Sequence, residues 1–166
     1  SPDLDPHGKK AMVGPIATGF VGKYVQYRGR PSHAGAAPEK GINALNAAIL
    51  GLSGIHAQRE TFPDEERIRV HPIITKGGDL VNIVPEDVQL ETYVRGLSID
   101  GIRDANLKVN RALRAGAMAV GAEVKITEIP GYMPLVNTPD LSVLFKENLL
   151  PLLQDSEIVE GGEFAG

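Results

Sequence analysis

The strongest constraint on the fold is the order in which the hydrophobic period changes along the chain. Residues 20–28 (FVGKYVQYR) place Val21, Val25 and Tyr27 on one face of an extended strand. Residues 42–55 switch to helical spacing. Ile42, Leu45, Ile49, Leu52 and Ile55 recur every three or four residues as one apolar stripe, and Ala44, Ala47 and Ala48 form a small flank that permits close packing. Pro38 suits a first helical position and Glu39 complements the dipole of a first turn, so the helix is expected to begin there. It should end near Arg59, before the breaker Phe62-Pro63-Asp64. Residues 67–76 (RIRVHPIITK) return to alternation through Ile68, Val70 and Ile74, with an irregularity at Pro72. Gly77-Gly78 marks a turn, and residues 81–84 read as short and extended. Residues 88–95 alternate cleanly, with Val88, Leu90, Thr92 and Val94 on one side and Gln89, Glu91, Tyr93 and Arg95 on the other.

A second helical stretch follows Asp100, a suitable N-cap. Its apolar side is Ile102, Ala105, Val109, Leu113, Ala117 and Val120, and Gly121 is a natural stop. Residues 123–129 (EVKITEI) make the last strand. Strand, helix, strand, strand, helix, strand is the split βαβ order. It implies an α+β, ferredoxin-like βαββαβ unit over residues 19–130, a four-stranded antiparallel sheet with two helices on one face.

The flanks do not belong to that unit. Residues 1–18 are polar and punctuated by Pro and Gly, apart from an apolar patch at 11–13, and read as a linker. In residues 131–166, Thr138 or Asp140 can cap a helix carrying Leu141, Leu144, Phe145 and Leu149, interrupted by Pro151. Such an apolar face needs a surface to bury it, and the assigned fold offers none. The expectation is a chain cut from a larger protein, with residues 131–166 returning into a neighbouring domain. The absence of an initiator Met suits an internal start.

Composition narrows the function classes. The net charge is −4 and no Lys/Arg run is long enough to track a phosphate backbone, so a nucleic-acid partner is not expected. There is no cysteine, hence no disulfide, thiol nucleophile or thiolate metal ligand within the chain. The apolar runs fall far short of a membrane span and the N-terminus lacks a signal segment, which is compatible with a cytoplasmic location.

Three polar residues stand out. His33 lies in the loop RGRPSHAGAAP (28–38) beside Ser32 and Gly35, where small neighbours let a ligand or another chain come close. An imidazole there can donate to an oxyanion or a carboxylate; the plainer reading is a turn histidine. Asn82 follows Gly77-Gly78 and sits between Val81 and Ile83. It can donate to a carbonyl or carboxylate, or merely hold its own backbone. Arg95, on the polar side of its strand, is either a bidentate carboxylate clamp or a solvated arginine. Metal binding within the chain is not expected: His7, His33, His56 and His71 show no ligand spacing, and HExxH and HxD are absent. No G-x-S-x-G elbow supports a catalytic triad.

RGRPSHAGAAPEKGINAL, GGDLVNIVPED and TYVRG, in this order and spacing, resemble the lid or dimerisation domain of the zinc-dependent aminoacylase/glutamate-carboxypeptidase family of metallopeptidases, over residues 20–130. EIPGYMPLVNTPDLSVLFKEN resembles the return into the catalytic domain of its amidohydrolase branch, which holds aminobenzoyl-glutamate, hippurate and auxin-conjugate hydrolases. The resemblance implies a homodimer paired through this domain, and a separate catalytic domain with two divalent metal ions, usually zinc, and a glutamate base. It implies that His33 reaches the partner's active site to stabilise a tetrahedral intermediate, and that Asn82 and Arg95 help hold the substrate carboxylate. The parent would then cleave the amide bond of N-acyl amino acids or similar small conjugates, and this fragment alone would be inactive, because the metal-binding segments are missing. A different class remains open: a non-catalytic ferredoxin-like module that binds a ligand or dimerises.

Overall fold

The computed structural model describes residues 11–154 and 158–161; expectations for residues 1–10, 155–157 and 162–166 lie outside the described residues. Two short strands, β1 (Ala11–Val13) and β7 (Ile158–Glu160), pair in parallel with each other. The main sheet is built on β2 (Gly19–Arg28). It pairs antiparallel with β5 (Asp87–Gly96) along its whole length, from Gly19↔Gly96 to Arg28↔Asp87. On its other side it pairs antiparallel with β6 (Glu123–Pro130). Beyond β5 lie β3 (Arg69–Val70) and β4 (Ile73–Lys76). The order β3/β4, β5, β2, β6 is the expected ferredoxin-like sheet, with its edge strand in two pieces. The break falls at His71-Pro72, where proline has no N–H for the ladder. The short strand expected at 81–84 does not form; a turn takes its place and only Ile83 makes an isolated bridge, to His33.

Both helices cover one face of this sheet. The second, α2 (Ile99–Val120), buries Ile102, Ala105, Val109, Leu113 and Ala117, as its spacing predicts. Gly121 ends it with φ 74°, the left-handed conformation glycine adopts without Cβ strain. Its cap is Ser98 rather than Asp100. The Ser98 hydroxyl accepts from the Gly101 N–H at 2.9 Å and donates to Glu66 Oε2 at 2.6 Å. Asp100 lies in the first turn, where its charge still suits the dipole.

The first helix differs from expectation in start and face. Pro38–Lys40 is a separate single turn of 3-10 helix, and α1 spans Ala44–Gln58. Between them Gly41 is extended and Ile42 is tied back to Arg30 by two backbone hydrogen bonds. Asn43 then opens the helix, its Oδ1 accepting from Leu45 and Asn46 N–H. The buried face is Ala44, Ala47, Ala48, Gly51 and Ile55, while Ile49 and Leu50 stay 47% and 44% exposed. Close approach decides this. A Cβ on Gly116 of α2 would stand inside the backbone of Ala47 and Gly51, so the helices cross on their small residues. Tyr27, fully buried below, donates its hydroxyl to the Leu113 carbonyl at 2.9 Å.

Gly116→Ala tests this crossing. Alanine gains about 1 kcal/mol of helix propensity. Overpacking against rigid backbone costs roughly 1–3 kcal/mol. The expected result in denaturant unfolding is a net loss of about 1 kcal/mol; a gain in stability would show the helices free to separate.

One charge is buried between sheet and helix. The Lys23 side chain, on the core face of β2, is inaccessible to solvent. Its ammonium donates to Asn110 Oδ1 at 2.7 Å and Glu128 Oε1 at 2.8 Å. Asn110 and Asn106 also donate to that Glu128 oxygen, at 2.6 and 3.1 Å. Burial pushes the Lys23 pKa below its ordinary value despite the carboxylate beside it. Glu128, held by the Asn110 amide and then by Lys23, falls to about 2. The two directions agree physically: desolvation falls on the enclosed ammonium, whereas the carboxylate keeps one side in water.

After β6, the expected third helix is present as α3 (Pro139–Leu149), with Thr138 at its N-cap but making no side-chain cap bond. None of its residues is buried, and Leu141, Val143, Leu144 and Phe145 are each half exposed or more. Among the described residues, no helix is long and apolar enough to cross a membrane.

Candidate functional site

The chains of β2 and β5 keep company beyond the sheet. Gly29 N–H donates to the Glu86 carbonyl at 2.7 Å, Val84 N–H to Ser32 at 2.9 Å, and Ala34 N–H to Asn82 at 2.9 Å. His33 and Ile83 bridge between them. The result is a two-stranded ribbon with His33 on one strand and Asn82 on the other. Arg30 steadies its base, donating from Nε to the Lys40 carbonyl at 2.6 Å.

His33 is exposed, but its ring is held. Nδ1 accepts from the N–H groups of Gly35 and Ala36 at 3.2 and 3.1 Å. An accepting Nδ1 carries no proton, so the neutral ring is the Nε2–H tautomer and turns a donor outward. The turn reading holds, since the turn fixes the ring. Asn82 is also exposed, and among the described residues its side-chain amide makes no hydrogen bond. Beside it lies a shallow groove lined by Asn43, Leu45, Gly78, Leu80, Val81 and Pro85.

Arg95 is elsewhere. It lies eight residues along β5 from Asp87, where the ribbon begins. At the usual strand rise that is about 26 Å, before the ribbon adds its own length. The guanidinium sits on the open face of the sheet, 5.7 Å from the Phe20 ring centroid and 5.5 Å from that of Tyr93. The structure therefore joins His33 to Asn82 and separates both from Arg95. Among the described residues no three His, Cys, Asp or Glu side chains converge as metal ligands.

A family model described as a peptidase dimerisation domain, of the M20 group, matches residues 17–118. The chain belongs to this peptidase dimerisation domain family. Its relatives are peptidases and amidohydrolases. The Xaa-Arg dipeptidase of Mus musculus is 34% identical over 125 residues, which cover 75% of this chain and 28% of the mouse protein. A homolog of a p-aminobenzoyl-glutamate hydrolase chain, from Haemophilus influenzae, is 38% identical over 72 residues, covering 43% of this chain and 16% of that protein. The crystal structure of aminopeptidase PepT from Bacillus cereus superposes with a TM-score of 0.73 at 23% identity, over 98% of this chain and 43% of that one. The chain thus spans less than half the length of these relatives.

Two features of this dimerisation domain escaped the sequence reading. The Lys23 cluster was legible by parity, since Lys23 shares its strand face with Val21, Val25 and Tyr27, but a lysine is ordinarily placed outward. The rings beside Arg95 were half legible. Tyr93 and Arg95 share a face by alternation, whereas Phe20 joins them only through the pairing Phe20↔Arg95.

Proposed function

We propose that residues 19–130 are the lid and dimerisation unit of a metal-dependent amidohydrolase. It would act in the cytoplasm as a homodimer, on N-acyl amino acids or similar small conjugates. Residues 1–18 and 131–166 would pack with its catalytic domain, and the chain by itself would be inactive. In support, β1 and β7 pair with each other rather than with the main sheet, and α3 leaves its apolar side uncovered.

The observation that carries the reading is the separation of His33 and Asn82 from Arg95. About 26 Å of strand exceeds the length of an N-acyl amino acid. If all three residues serve one substrate, they must come from two copies of the chain. Arg95 of one copy would then grip the carboxylate, while the ribbon of the other brings His33 and Asn82 from the opposite side. His33 Nε2–H would donate to the carbonyl oxygen as it becomes an oxyanion, a charge that exists only in the transition state. Asn82 would donate its amide to a carboxylate oxygen, and Arg95 would form a bidentate pair with the same group. The described residues form no site for the two divalent metal ions, zinc by the resemblance, that this chemistry implies; that site would belong to the rest of the parent protein. A pairing surface is also at hand. β4 is one outer edge of the sheet, with Ile73 and Ile74 exposed, and Ile49 and Leu50 of α1 lie uncovered.

The test uses the full-length protein, assayed on N-acyl amino acids, aminobenzoyl-glutamate and Xaa-Arg dipeptides. The expected result is a dimer that hydrolyses at least one of them, loses activity to a chelator and regains it with a divalent metal. A metal-loaded dimer that turns over none would be a binding module instead.

A further inference from the structure

The open face of the sheet carries a built aromatic seat around Arg95. Phe20 stands directly opposite Arg95 in the β2–β5 register, and Tyr93 is on the same face of β5. The two rings lie 4.8 Å apart, centroid to centroid, inclined at 48°. Tyr132, just past β6, meets Phe20 edge to face, also at 4.8 Å. Gly131 leaves room for this arrangement. The Tyr93 ring lies over Gly22, its nearest atom 3.4 Å from where a Cβ would stand. A Cβ on Gly131 would stand 2.5 Å from the Phe20 ring. The rings are therefore held from below and from the side, and the guanidinium rests against both, at 5.5 and 5.7 Å.

An arginine side chain has many rotamers, and freezing them on binding a substrate costs affinity. Two fixed ring faces restrict the guanidinium before the substrate arrives. We infer that Phe20 and Tyr93 are positioning residues that set the Arg95 guanidinium for a carboxylate ligand, and so help determine preference for substrates with a free carboxylate. This rests on the carboxylate role proposed above for Arg95. Tyr132 extends the seat to the chain leaving β6, which runs beside the chain entering β2: Leu135 N–H donates to the Ala17 carbonyl at 3.0 Å, and Asn137 Nδ2 to the Pro15 carbonyl at 2.6 Å.

The experiment compares the best substrate of the full-length enzyme with its α-carboxamide. Arg95→Gln is expected to collapse the carboxylate-over-carboxamide ratio of kcat/KM. Phe20→Leu and Tyr93→Leu should each lower it by about three- to tenfold, mainly through KM. Tyr93→Phe, which keeps the ring, should restore it. In the Arg95→Gln background, losing either ring should change the ratio no further, which a merely structural role would not produce. Gly131→Ala, which displaces the Phe20 ring without removing it, stands in should a ring variant fold poorly. A reading without turnover comes from the Arg95 Nε–Hε resonance, which ring currents shift upfield in the wild type and which should move downfield in both leucine variants. Ring variants that keep the wild-type ratio, or leave that resonance in place, overturn the inference. An Arg95→Gln enzyme that keeps the ratio overturns the carboxylate role itself, and the inference with it.

Discussion

Replacing His33 by alanine in the full-length protein is expected to lower kcat by about a hundred- to a thousandfold with little change in KM. The size follows from what one preorganised oxyanion donor contributes, roughly 3–4 kcal/mol, and the pattern follows from its acting on a charge absent in the ground state. The fold should be untouched. His33 is exposed and, among the described residues, its ring is hydrogen-bonded to the turn it caps, through Gly35 and Ala36. Glutamine at the same position can donate but cannot reproduce the doubly held ring, so it should recover only part of the rate. The two-copy arrangement adds a sharper outcome. Protomers carrying His33→Ala, mixed and reassembled with protomers disabled in the catalytic domain, should regain activity, because one of the two composite sites is then whole. Unchanged kcat in a normally metallated His33→Ala enzyme would end its proposed role. A dead enzyme that mixing cannot revive would end the exchange between protomers.

Replacing Lys23 by methionine is expected to destabilise the fold by about 3 kcal/mol, the low end of the range for breaking a buried pair. The low end applies because Glu128 is 39% exposed, so water takes over part of the lost interaction. Asn110 is buried, and its Oδ1 would lose the ammonium it accepts from. Adding Glu128→Gln to Lys23→Met should recover part of the loss, since the stranded carboxylate is gone; a double-variant loss equal to the sum of the two single-variant losses would show that the pair is not coupled. The same carboxylate sets an acid limit. Its folded pKa lies at about 2, below the ordinary 4.5, so its stabilisation is fully present above 4.5 and lost as pH falls towards 2. Lys23 acts in the opposite sense at the alkaline end: with its folded pKa depressed, stability should rise as pH climbs towards 10.5, relieving the cost of a buried charge. Urea midpoints across the acid range, in wild type and Glu128→Gln, check the first statement. A midpoint equally pH-dependent in both would refute it.

The split between sequence and tertiary structure runs along one physical line. Order and local conformation are short-range properties. The succession of period-two and helical stretches, the stripe of α2, the stop at Gly121 and the break at Pro72 all follow from neighbouring residues, and the structure bears each of them out. The two stretches RGRPSHAGAAP and GGDLVNIVPED lie far apart in sequence and meet because β2 and β5 pair in register, so their pairing belongs to the tertiary structure. What neighbours could not settle is which surface wins when two are available. Hydrophobicity chose Ile42, Leu45, Ile49, Leu52 and Ile55 for the buried side of α1. The structure chose Ala44, Ala47, Ala48 and Gly51 with Ile55, since α2 crosses where its Gly116 permits contact and only small side chains fit there. Lys23 lies inside because Asn110 and Glu128 arrive from elements some ninety residues or more away. The constellation of His33, Asn82 and Arg95 divides for the same reason. Sequence identifies the three residue types, but the length of a single extended strand decides that two stand beyond one end of β5 and the third at the other.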